Sequence, residues 1–169
     1  PHFDRIAKEG ALFSQAYISA PSCSPSRAAI LTGQYHWRLE HGANLHGFVA
    51  QKFDVYPDLL EQAGYFVGFA KKGYGPGNNG DRERNACGPT FKSFEAFLAE
   101  RPEGKPFCFW YGGHEPHRPY RWQAGEQAGL DAKQVEVPPF WPDSETTRND
   151  ILDYSTEVQS NDQQLGDLL

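Results

Sequence analysis

Backbone-breaking residues set the limits on what this chain can become. It carries 17 Gly and 13 Pro among 169 residues. Each Pro removes a backbone donor, and each Gly weakens the regular element that contains it. A regular helical bundle is therefore excluded. A large, fully buried parallel sheet is hard to supply as well, because Ile and Val together occupy ten positions against twelve for Phe. The core must come largely from aromatic side chains, 14% of the chain, each of which buries a large area. The length corresponds to one ordinary domain, rich in loops.

The formal net charge of −6 and the pI near 5.5 leave no electrostatic footprint for nucleic acid, so no nucleic-acid partner is expected. No apolar run approaches the roughly 18 residues of a membrane span. The first thirteen residues are too charged for a signal peptide, and the chain contains no Met, so residue 1 follows either initiator removal or an upstream cut. The three cysteines, Cys23, Cys87 and Cys108, match no zinc spacing and no Cys-x-x-Cys pair. Cys87 and Cys108 can be read either as a disulfide or as two small apolar residues.

Helix and strand signals alternate. Helices are predicted over residues 3–8, from Ser24 to Gly33, over 56–63 and over 94–100. A last helix runs from 146 to the end with Ser144 as its cap, on the spacing of Ile151, Tyr154, Val158, Leu165 and Leu168. Extended segments are predicted over 11–18, 65–70 and 107–111, and a long loop with seven prolines spans 102–142. The alternation makes the class α/β.

The sharpest motif is Cys23-Ser24-Pro25-Ser26-Arg27, followed by an apolar stretch and Leu31-Thr32-Gly33. A Cys at a helix N-terminus meets free N–H groups and the positive end of the dipole. Arg27, one turn on, shares its face, so a nucleophile and a cation can flank an anion. A buried structural Cys is the plain alternative. A thiolate phosphatase loop requires five residues between Cys and Arg and a glycine cradle, whereas this chain has three and no glycine.

The same residues resemble the first signature of the sulfatase family at every defining position. The resemblance implies that Cys23 is oxidised to formylglycine by a maturation enzyme that reads Pro25 and Arg27 on the unfolded chain. It further implies a hydrated aldehyde with one hydroxyl to attack sulfur and a second to release sulfate. A divalent cation, usually calcium, acts as Lewis acid in that family. Within the family, residues 33–37, 72–77 and 114–120 look most like the sulfamidase, or heparan N-sulfatase, group.

A second stretch, Gly64-Tyr65 through Lys72-Gly73, partly resembles the second sulfatase signature. Lys71 stands where the family commonly has Gly, and Tyr74 where many members have His. Lys72 takes the family's role of binding a sulfate oxygen, with Tyr74 a candidate for the leaving-group proton. Gly75-Pro76-Gly77-Asn78-Asn79-Gly80 also fits a dinucleotide fingerprint, but a turn and the charged Asp81-Arg82-Glu83-Arg84 follow it where a helix is needed. A third cluster, His114-Glu115-Pro116-His117, follows the apolar strand at 107–111. Pro116 forbids a helical zinc pair there. The resemblance makes His114 the sulfate contact and His117 a substrate contact, and either imidazole can protonate a leaving group. Trp37, Trp110, Trp122 and Trp141 would suit sugar stacking, but a place in the core is the plainer expectation for each.

The implied whole is an alkaline-phosphatase-like sandwich with a central mixed sheet, of which residues 1–169 form part of the catalytic domain, cut at both ends. The first strand and the remaining metal ligands are expected beyond this stretch, leaving Cys23 as the only metal contact assigned. The implied function is hydrolysis of a sulfate ester or sulfamate on a sulfated carbohydrate, in a secreted, periplasmic or lysosomal protein. The stretch by itself is expected to be inactive. A phosphoester or phosphonate hydrolase of the same superfamily and a non-catalytic carbohydrate-binding protein are the alternatives. With an acidic net charge, substrate capture is expected to rely on short-range attraction at Arg27, Lys72 and His114.

Overall fold

The computed structural model describes residues 1–169 and falls into two compact units, one of Pro1–Phe13 with His114–Leu169 and one of Ser14–Gly113. The α/β class holds, in helices α1 (His2–Glu9), α2 (Cys23–Thr32), α3 (Tyr56–Gln62), α4 (Phe94–Glu100), α5 (Ala124–Gln127) and α6 (Glu145–Leu168), and strands β1 (Phe66–Lys71), β2 (Thr90–Phe91) and β3 (Phe107–Gly112).

In the unit of Ser14–Gly113 the three strands form one sheet in the order β2-β1-β3. The resemblance implies a mixed sheet, but both pairings present are parallel. Parallel strands need a crossover connection, and α4 lies in the one that carries the chain from β2 past β1 to β3. Register runs from Phe66 opposite Phe107 to Lys71 opposite Gly112. The two-residue side-chain period splits β1 into two faces. Phe66 and Gly68 face Phe97 of α4, which is fully buried and meets the rings of Phe66, Phe91, Phe107 and Phe109 at centroid distances of 4.8, 5.1, 5.7 and 4.7 Å. Ser93 caps α4 by accepting from the Ala96 N–H. Phe69 points the other way, into a core with Ala28 and Leu31 of α2, Leu39, Val49, Val55, Tyr74, Ala86 and Cys87. Aromatic rings thus do the packing that the scarce Ile and Val cannot.

Helix α2 ends at Gly33, whose φ of 68° is left-handed and whose N–H bonds the Ala29 carbonyl, the expected glycine stop. Residues 11–18, predicted extended, join no strand. Strand β2 and two 3-10 turns, His36–Arg38 and Glu40–Ala43, carry no periodic pattern and are visible only in the structure.

In the other unit α6 supplies two buried aspartates to the starts of shorter helices. Asp162 accepts from the His2 and Phe3 N–H groups, at 3.0 and 2.8 Å. Asp153 accepts from Gln123 and Gly125 N–H, at 3.0 and 2.9 Å. Each carboxylate satisfies donors that helix geometry leaves unpaired, and hydrogen bonding from Phe3 holds the Asp162 pKa below its ordinary value. Ser144 caps α6 as predicted, accepting from Thr147 N–H. Helix α5 interrupts the proline-rich loop. Four residues are too few to leave a period in the sequence, and Asp153 holds them in place.

Gly68 lets α4 press on the sheet, since a Cβ there would lie 2.5 Å from the Phe91 ring and 2.9 Å from that of Phe97. Gly68→Ala is expected to destabilise the protein by about 1–3 kcal/mol through overpacking, measured as a lower urea midpoint. An unchanged midpoint would show that the ring cluster yields freely.

Candidate active site

The candidate site assembles at the N-terminus of α2. Its N-cap is Ser22, and no acidic side chain occupies the first turn. Pro25 fits there because first-turn N–H groups lack helical partners in any case. Cys23 is half-buried at the first helical position. Lys72, 49 residues later, donates from Nζ to the Cys23 Sγ at 3.1 Å. The Cys23 and Lys72 singled out in the sequence therefore meet. An ammonium beside the side chain of residue 23 suits an oxygen or a developing negative charge at that point.

Arg27 acts one step back from this contact. Its Nη1 donates to the backbone carbonyls of Lys72, at 2.9 Å, and Gly73, at 3.0 Å. Burial lowers its pKa, with Cys87 and Cys23 opposing the shift, and a guanidinium starts so high that it stays charged. The half-buried Arg27 thus ties α2 to the segment leaving β1. Lys72 N–H completes the tie by donating to the Gly112 carbonyl at 2.9 Å. Gly112 is required there, because a Cβ on it would lie 1.7 Å from the Lys72 oxygen.

The glycine-rich turn after Lys72 is bound to α2 as well: Gly77 N–H donates to the fully buried Ser24 Oγ at 2.8 Å. No helix follows Gly80, so the dinucleotide fingerprint is excluded.

Tyr74 is not presented to a substrate. It is 2% exposed in the core, its hydroxyl has no hydrogen-bond partner, and burial pushes its pKa up to about 12. The sequence offered it as a proton donor because it stands two residues after Lys72. The chain turns there, and the ring packs inward. All three cysteines are free thiols. Burial pushes Cys87 up to about 12, against Arg27 and a Tyr74 backbone hydrogen bond, which makes it a core residue and not a nucleophile.

His114 and His117 are both exposed and belong to the other unit. The Nδ1 of His117 meets the Arg118 carbonyl at 2.6 Å, and since a carbonyl only accepts, Nδ1 carries the hydrogen and Nε2 is left for another partner. No three His, Cys, Asp or Glu side chains converge as a metal site. A divalent cation therefore does not fit the residues present as a complete cage, and Cys23 could supply one ligand at most. No helix is long and apolar enough to cross a membrane.

Trp110, open in sequence to sugar stacking or a core, makes a contact here that the sequence did not show. Its Nε1–H donates to the Lys72 carbonyl at 3.2 Å, and the Arg27 guanidinium lies 5.5 Å from its ring centroid.

Lys71, in the position where a glycine is common among proteins with this signature, has a left-handed φ of 60°. A side chain pays for that conformation and a β-branched one pays most. Lys71→Gly is expected to match or exceed the parent by up to about 1 kcal/mol, and Lys71→Val to lose about 1–2 kcal/mol. Thermal unfolding of the three proteins reads the order, and a stable Lys71→Val variant would contradict it.

The raised thiol also fixes a pH dependence. Above the ordinary thiol value of 9.0 the unfolded chain gives up the Cys87 proton, while the folded chain holds it to about 12. Stability present below pH 9 is thus lost as pH rises through that window. Cys87→Ala is expected to flatten the decline between about pH 9 and about pH 11, read from urea midpoints at several pH values. An unaltered slope would refute it.

The sulfatase family profile matches residues 1–89. The chain is 33% identical over 125 residues to the N-acetylgalactosamine-6-O-sulfatase of Bacteroides thetaiotaomicron, covering 68% of the chain and 24% of that protein. It is 29% identical over 204 aligned positions to the human N-sulphoglucosamine sulphohydrolase, covering 98% of the chain and 41% of that protein. It is 39% identical over 77 residues to the N-acetylgalactosamine-6-sulfatase of Canis lupus familiaris, covering 38% of the chain and 15% of that protein. The chain thus spans less than half the length of each of these curated relatives.

Proposed function

Because the chain belongs to the sulfatase family, whose profile covers residues 1–89 of its 169, we propose that it carries the nucleophile region of an enzyme that hydrolyses a sulfate ester or sulfamate on a sulfated sugar. The observation that carries this reading is the Lys72 ammonium, 3.1 Å from the Cys23 sulfur. Two residues far apart in sequence meet at the N-terminus of a helix, where an anion is favoured.

In this proposal a maturation enzyme converts Cys23 to formylglycine, whose hydrate supplies one hydroxyl for attack on sulfur and a second that expels sulfate as the aldehyde re-forms. The position suits the change, since the Lys72 donor that meets Sγ can equally meet an oxygen. Lys72 binds a sulfate oxygen and stabilises the negative charge that grows on the transferring group. Arg27 holds the Lys72 backbone and adds a fixed positive charge nearby. His114 is proposed as the sulfate contact and leaving-group acid, and His117 as a substrate contact. Calcium is the cation in this reading. Residue 23, as formylglycine, would be one ligand, and the carboxylates that calcium needs do not converge on it among these residues.

The proposed substrate is a sulfated amino sugar, since the relatives are named for N-acetylgalactosamine 6-sulfate and N-sulphoglucosamine. Glucosamine N-sulfate at a chain end is the finer choice, supported by the alignment that covers 98% of the chain. Secreted, periplasmic or lysosomal residence belongs to the same proposal. No observation favours the phosphoester or the non-catalytic reading.

The whole protein, produced with a maturation enzyme, should show an aldehyde at position 23 by peptide mass spectrometry and should release sulfate from one of these sugars. Lys72→Ala should lower kcat by about a hundredfold or more. A fully active preparation that retains only the thiol would refute the formylglycine mechanism. Faster turnover of phosphate esters than of sulfates would move the protein to the phosphohydrolase reading.

A further inference from the structure

We propose that Trp110 is a positioning residue for sulfuryl transfer: its indole fixes the Lys72 backbone and the Arg27 guanidinium together, and so aims the Lys72 ammonium at Cys23. This rests on the sulfatase reading above. Lys72 follows directly on Lys71, whose left-handed φ of 60° ends β1, so the strand ladder does not hold the next carbonyl. The Lys72 carbonyl accepts instead from Arg27 Nη1 at 2.9 Å and from Trp110 Nε1 at 3.2 Å. Those two bonds use both lone pairs of the oxygen. The Lys72 N–H is bound to the Gly112 carbonyl, two residues beyond Trp110 on the same strand. Strand β3 therefore grips both polar backbone groups of Lys72.

The indole does a second thing with its face. The Arg27 guanidinium stands 5.5 Å from the ring centroid, within the range of a cation–π contact strengthened by partial burial. Trp110 also packs against the core cluster beneath α2, which restrains its own rotamer. Of the two roles open to Trp110, the core is the one observed: its N–H and its contact with Arg27 are committed inside the protein. A flexible four-carbon side chain such as that of Lys72 carries large rotamer entropy. Anchoring its backbone reduces the positional search that the reaction would otherwise pay for. A replacement that keeps the ring but removes the N–H should leave the fold in place and loosen the Lys72 anchor. Phe does this approximately, and 3-benzothienylalanine, with sulfur in place of the N–H, does it with the indole's shape retained.

The test is a double-mutant cycle in the whole, matured protein, using the sulfated substrate that it turns over. Rates are normalised to formylglycine content by mass spectrometry, and thermal stability is measured alongside. Trp110→Phe and the benzothienyl replacement are each expected to lower kcat about tenfold, the worth of one hydrogen bond to a positioned group, with KM changed by less than about twofold. In a Lys72→Ala background the same replacements should change kcat by less than about twofold, because the group they position is gone. A wild-type kcat with the benzothienyl replacement overturns the proposal. So do effects that multiply in the double variant, or a loss confined to thermal stability. A Lys72→Ala protein with the parent's kcat would overturn the site assignment itself, an outcome distinct from a silent Trp110 replacement beside a disabled Lys72→Ala.

Discussion

One guanidinium joins the two halves of this site. Arg27 leaves the first turns of α2 and donates to the carbonyls of Lys72 and Gly73 just past the end of β1. A carbonyl pair cannot ionise away, so the half-buried cation keeps its partners at any pH at which the protein is folded. The geometry at Cys23 follows from this tie. The helix supplies residue 23 with an electropositive end, and the tie carries the Lys72 side chain to within 3.1 Å of it. Gly77 N–H on the buried Ser24 hydroxyl makes a second stitch between the same two segments. These bonds fix the register of a turn that the shared core, with Tyr74 beside Ala28 and Leu31, already presses against α2.

The sheet behind the site is built on aromatic packing. Phe97 touches four rings on one face of the strands, while Phe69, Tyr74 and the aliphatic residues of α2 close the other. Large rings need room, and glycine makes it. Gly68 accepts the Phe91 and Phe97 rings, and Gly112 lets β3 approach the Lys72 carbonyl. The glycines that limit regular structure in this chain therefore also allow its few strands to pack closely. The electrostatics are equally local. The Lys72 ammonium meets Cys23 while Arg27 holds the Lys72 carbonyl behind it, no metal-binding cluster forms, and the deep thiol of Cys87 is kept protonated by burial.

Much of this was legible before the fold. The α2 motif could be read because its meaning lies in short-range rules: a Cys at a helix start, Pro where no donor is missed, an Arg one turn on and a glycine to stop. Ser144 as the α6 cap and the two apolar strands followed from equally local patterns. Lys72 was legible through the surrounding signature, and the left-handed φ of Lys71 gives the physical reason why glycine suits the preceding position. Other features were not legible. Strand β2 and α5 are too short to have a period. Tyr74 looked available beside Lys72 but turned into the core. The motif points Arg27 toward an anion, whereas its hydrogen bonds go to the Lys72 and Gly73 carbonyls.

The sequence by itself determined the chemistry-bearing residues, the helix that presents Cys23 and the α/β alternation, since each depends on neighbours within a turn or two. Only the tertiary structure decided that Lys72 faces Cys23, that Trp110 and Arg27 share one carbonyl, and that Tyr74 is packing and not machinery. The first two depend on contacts between residues 38 to 49 positions apart, and the third on a core that Tyr74 shares with Ala28 and Leu31. No local pattern encodes such contacts, because they arise where a helix, a strand end and a neighbouring strand are pressed together by a shared core.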